Sequence, residues 1–73
     1  MNNPYERLAN AIILQAAKDY RLALKILNKH PQSSKALYIK KEVEQFFHSN
    51  WYSLLTTIDP EMIIHKLNQE VIR

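Results

Sequence analysis

The chain contains no glycine and no cysteine, only three prolines, and no apolar run longer than Ala11-Ile12-Ile13-Leu14. Each absence excludes something. Without glycine there are no glycine-rich phosphate loops and no glycine-dependent hairpin turns, and helices are favoured throughout. Without cysteine there is neither a disulfide framework nor thiolate metal ligation, which fits a cytoplasmic protein. A four-residue apolar run falls far short of the roughly 20 residues a membrane-spanning helix requires. The opening residues, Met1 to Glu6, lack a basic segment followed by an apolar core, so no signal peptide and no membrane association are expected.

What remains is short and mixed. Seventy-three residues make a single domain, 1–73. A chain of this size buries only about 60% of the surface its unfolded form exposes, so a few kcal/mol of stability is expected. The net charge is +3 and uneven: residues 1–29 hold five Lys/Arg against two acids, and residues 51–73 hold two against three. Moderate basicity permits nucleic-acid binding without requiring it.

Helical periodicity runs through the chain. Asn3-Pro4 reads as a cap followed by proline at the first helical position, with Glu6 complementing the helix dipole. From there to about Asn28, Tyr5, Ala9, Ile12, Ala16, Tyr20, Ala23 and Leu27 form one stripe, widened by Leu8, Ile13 and Leu24. Asn28-Lys29-His30-Pro31 ends this helix. Ser33 or Ser34 caps a second helix over about 35–48, with Ala36, Ile39, Val43, Phe46 and Phe47 inward. Lys40, Lys41, Glu44, Gln45 and His48 are expected to point away. Ser49-Asn50 breaks the chain again before a short helix from Trp51 to about Thr56. Asp59-Pro60-Glu61 starts the last helix, which runs to about Val71 with Ile63 or Ile64, Leu67 and Val71 inward. The fold class is therefore all-α, a small bundle of three main helices and one short one.

Four of the seven aromatic residues fall between Phe46 and Tyr52. Phe46, Phe47 and Trp51 are accordingly expected to anchor the core, with Leu54 and Leu55 converging on them.

Candidate sites are few. Arg7, Lys18, Arg21, Lys25 and Lys29 share one side of the first helix, opposite its apolar stripe, and could follow a phosphate backbone. An ordinary solvated face explains them as well, and no aromatic side chain is interleaved for base stacking. Leu14, Leu22, Leu37 and Tyr38 fall off the inward faces and suggest a partner surface. A helix-turn-helix reading fails because the third helix carries no Lys or Arg to read bases. His30, His48 and His65 are scattered, Asp59 and Glu61 read as helix-start residues, and Ser33 and Ser34 read as caps. No catalytic, metal or cofactor site is expected, and no enzymatic activity.

The segments Gln15-Ala16-Ala17-Lys18-Asp19-Tyr20-Arg21 and Glu42-Val43-Glu44-Gln45-Phe46-Phe47-His48-Ser49-Asn50-Trp51-Tyr52-Ser53-Leu54-Leu55-Thr56 carry a likeness over residues 11–68. The chain resembles small uncharacterised proteins encoded in prophages and integrative elements of Gram-positive bacteria. That group has an acid where this chain has Asn50 and glycine where it has Pro60, both at helix starts. The resemblance implies a cytoplasmic protein of mobile-element origin and carries over no site residue.

The expected function is a non-enzymatic accessory protein of a phage or mobile element that binds another, unidentified protein. The alternative is a nucleic-acid-binding accessory protein using the basic face. A homodimer is also expected. The first helix is longer than its neighbours can cover, and its heptad-spaced alanines would let a second copy approach closely.

Overall fold

The computed structural model describes residues 4–71. It is 85% helical with no strand among the described residues, and its four helices are α1 (Pro4–Lys29), α2 (Ser34–Phe47), α3 (Asn50–Leu55) and α4 (Pro60–Val71). The expected all-α bundle of three main helices and a short one is what forms. The cap expected at Asn3 lies outside the described residues.

Local chemistry sets the breaks. At the end of α1 the His30 amide still donates to the Ile26 carbonyl, and the Ser33 amide donates to the His30 carbonyl across Pro31-Gln32. Proline's fixed φ suits this turn. Ser33 then caps α2, its hydroxyl accepting from the Ala36 amide at 3.3 Å. Ser49 caps α3 in the same way, accepting from the Tyr52 amide at 3.2 Å while donating to the Phe46 carbonyl at 2.7 Å. Asp59 begins α4 by accepting from the Glu61 amide at 3.0 Å. Each cap satisfies an amide that the helix itself leaves without a partner.

At about 1.5 Å per residue, the 26 residues of α1 come to roughly 39 Å, nearly the whole 41 Å long axis of the molecule. It is the spine on which α2, α3 and α4 pack. Helix α2 returns antiparallel along it. Helix α4 runs in the same sense as α1: Asn68 reaches Tyr20 and Glu70 reaches Arg21, while Glu61 stays beside His48 at the far end of α2.

The core gathers Tyr20 and Leu24 of α1, Val43 and Phe47 of α2, Tyr52 of α3 and Leu67 of α4. Tyr20, Phe47 and Tyr52 are its largest fully enclosed side chains. Their rings meet edge to face, Tyr20 on Phe47 at 6.3 Å and Phe47 on Tyr52 at 5.5 Å, the arrangement their quadrupoles favour.

Here the structure corrects the expected anchor. Phe47 is central and Phe46 partly buried, but Trp51 is 56% exposed and Leu54 82% exposed. The reason lies in register. Ser49 holds the Tyr52 amide, and α3 is only six residues long, so it turns just one large side chain inward. That side chain is Tyr52. Trp51, about 100° around the helix, meets Phe46 edge-on at 5.8 Å from the outside.

A second correction concerns α2. Lys40 and Glu44 do not point away: both are half-buried, and the buried Tyr20 hydroxyl donates to the Glu44 carboxylate at 2.6 Å. A buried hydroxyl without a partner is costly, and α2 supplies one for Tyr20. A third concerns the alanine stripe. Ala9 and Ala23 are buried within the bundle, so that stripe is not a surface for a second copy.

Candidate interaction surfaces

Three sets of side chains outside the apolar core carry specific chemistry: a polar joint, a basic side of α1, and a set of exposed apolar groups.

The polar joint ties three helices together. The Asn68 amide donates to the Tyr20 hydroxyl at 3.2 Å and to the Ile64 carbonyl at 2.8 Å. Tyr20 in turn donates to Glu44, and the Lys40 ammonium donates to the same carboxylate oxygen at 2.7 Å. Burial, then the hydrogen bond to Glu44, pushes the Tyr20 hydroxyl from 10.0 up to about 12. Burial would raise the Glu44 carboxyl too, but the hydrogen bonds from Lys40 and Tyr20 outweigh it and hold the group below its ordinary value. Every member has a partner, so the joint holds helices in place rather than presenting a reactive group.

A smaller contact closes the bottom of the bundle. His48 donates from Nδ1 to the Glu44 carbonyl at 2.9 Å and from Nε2 to the Glu61 carboxylate. Both partners are acceptors only, so the ring that satisfies them is the doubly protonated one. The hydrogen bond to Glu61, then that to Glu44, accordingly raises the His48 pKa. Glu61 therefore does more than start α4. Among the described residues, no group of three or more His, Cys, Asp or Glu is placed to hold a metal ion.

The basic side of α1 is exposed at Arg7, Lys18, Lys25 and Lys29. Arg21 is different. Its Nε donates to the Glu70 carboxylate at 3.0 Å, so α4 neutralises the middle of the stripe. This contact spans 49 residues of sequence, and helical spacing alone cannot reveal it.

Exposed apolar groups stand on all four helices. Tyr5 and Leu8 stand on the first two turns of α1, and Trp51 and Leu54 on α3, all facing solvent. Between α1 and α2 lies a shallow depression of about 310 Å³ lined by Ile12, Ala16, Val43, Phe46 and Trp51 together with the acidic residues Asp19 and Glu42. Leu14, Leu22, Leu37 and Tyr38 are exposed as their off-face positions implied. Trp51 and Leu54 belong with this exposed set. No sequence signal marks them, because α3 is too short to define an inward face by periodicity.

No helix among the described residues is long and apolar enough to cross a membrane. No family model matches the chain, and no curated protein and no solved structure matches it either.

Proposed function

We propose that this chain is a non-enzymatic, cytoplasmic accessory protein that acts by binding another protein, in keeping with its resemblance to products of phages and mobile elements. The observation that carries this reading is the solvent-facing pair Trp51 and Leu54. A tryptophan half out of the fold costs solubility and adds little stability, while aromatic anchors are what protein interfaces draw on most. Differential capture tests it. Immobilised wild-type chain and a Trp51→Ala, Leu54→Asp variant are compared on extract of a Gram-positive host. A protein held by the first and lost by the second, with helix content unchanged, supports the reading. Identical capture by both overturns it.

Nucleic-acid binding is the second reading, favoured by the four exposed cations of α1. Phosphate contacts release counterions, so affinity would fall steeply with salt. Reversing Lys18, Lys25 and Lys29 to Glu should abolish such binding and leave the helices intact. Arg21 is unsuited to that test because its reversal would set two carboxylates against each other at Glu70. Wild-type chain that fails to bind DNA at low salt removes this reading.

A further inference from the structure

Helix α1 carries a second periodic face besides the one it buries. Leu8, Ile12, Gln15, Asp19, Leu22 and Ile26 are spaced 4, 3, 4, 3 and 4, the heptad spacing of a helix-pairing seam. None of the six is fully buried, and Leu8 and Leu22 are 61% and 58% exposed. The order along the face is apolar, apolar, polar, polar, apolar, apolar, so it reads the same from either end. Its two central members already bond to each other, the Gln15 amide donating to the Asp19 carboxylate at 3.0 Å.

We propose that two copies of this chain pair through that face, with their α1 helices antiparallel about a two-fold axis level with Ala17. That rotation sets Leu8 against the partner's Ile26, Ile12 against the partner's Leu22, and Gln15 against the partner's Asp19. Two apolar layers then flank the two central polar layers on each side. The amide and carboxylate that bond within one chain bond between chains instead, so neither is left unpaired. Lys18, next to Asp19, comes toward the partner's Asp19, which gives each copy a cation for the other's anion. The partner's Leu22 arrives at Ile12, where the depression walled by Phe46 and Trp51 is open to receive it.

A second copy is the occupant because the pattern is self-complementary. An isologous two-fold contact requires each surface to match itself reversed, and this one does. A polar centre within an apolar seam also fixes register. The face differs from the buried alanine stripe, and the inference goes beyond the protein-binding reading, which rests on α3. Trp51 walls the depression that receives the partner's Leu22, so a Trp51 variant touches both surfaces, whereas Leu22→Glu acts on the pairing alone and leaves Trp51 and Leu54 in place.

Light scattering over a concentration series tests the pairing. The wild-type mass should rise from 8.7 kDa toward twice that value, and Leu22→Glu should hold it at the single-chain mass with unchanged helix content. A wild-type mass that stays at one chain into high micromolar concentration overturns the proposal, as does a Leu22→Glu variant that still doubles. If Leu22→Glu fails to fold, Gln15→Lys serves instead. A lysine opposite the partner's Asp19 should tighten pairing severalfold at low salt and lose that gain at high salt, and no gain contradicts the polar centre. Orientation is read by cross-linking, since the chain has no cysteine of its own. Leu8→Cys chains mixed with Ile26→Cys chains should form a disulfide-linked dimer, and Leu8→Cys alone should not. The reverse outcome overturns the antiparallel arrangement.

Discussion

Two regions of the molecule use aromatic side chains to opposite ends. Around the middle of α1, Tyr20, Phe47 and Tyr52 are enclosed, and the one hydroxyl among them that reaches across helices is held by Glu44 and Asn68. At the exposed edge of α3, Trp51 leans its indole on Phe46 and leaves the rest to solvent. Trp51 and Tyr52 are adjacent in sequence, and a rotation of about 100° separates structural duty from surface. In so short a chain the larger ring is not necessarily the anchor. The anchor is the ring that its helix cap aims at the point where three helices already meet.

The largest expected effect on this contrast comes from the enclosed side. Phe47→Ala should cost about 3–5 kcal/mol, the usual penalty for emptying an aromatic site in a core. That approaches the whole margin expected for such a small domain, so the variant should melt near or below room temperature. A scan of the circular dichroism signal checks it. Tyr20→Phe should cost about 1–2 kcal/mol, because it removes one hydroxyl and leaves half-buried Glu44 and Asn68 each short of a partner. Its denaturant midpoint should fall while the slope stays unchanged. Trp51→Ala should cost under about 1 kcal/mol, since only an edge contact and part of one face are lost.

The smallest effect is at the foot of the bundle. Folding raises the His48 pKa above its ordinary 6.5, so the folded chain holds that proton more tightly than the unfolded one. The stabilisation is fully present below the ordinary value and is lost as pH rises through the folded value. Denaturant midpoints taken from about pH 6 to pH 8.5 should therefore drift down, and Glu61→Gln should flatten the drift. An unchanged slope in that variant would show that another group is responsible.

Much of the fold was legible because its boundaries are written in local chemistry. Ser33, Ser49 and Asp59-Pro60-Glu61 cap or start helices through bonds to amides two or three residues away, and residue type alone signals them. The inward face of α1 was legible from Ala9 onward because a helix of seven turns repeats its pattern often enough to define a direction, but Tyr5 and Leu8, expected on that stripe, stand in solvent where no other helix covers the first turns. The inward face of α3 was not, because six residues hold fewer than two turns and the aromatic cluster offered Trp51 and Tyr52 equally. Contacts between distant helices were not legible either. Nothing in the spacing of Arg21 or Glu44 foretells Glu70 or Tyr20, which arrive from other elements. The candidate surfaces follow the same rule. The basic side of α1 could be read from the sequence, but its neutralised centre and the exposed indole could not.

The most direct test uses Trp51 itself, the only tryptophan in the chain. Acrylamide quenching of its fluorescence reports solvent access to the indole. The measurement is made on Leu22→Glu chains at low concentration, so that no second copy shields the ring. An exposed Trp51 should emit at long wavelength in the folded protein and be quenched nearly as readily as after unfolding. A blue-shifted indole that resists quenching until the helices melt would place Trp51 in the core and contradict the division between the enclosed Tyr20, Phe47 and Tyr52 cluster and the open edge of α3.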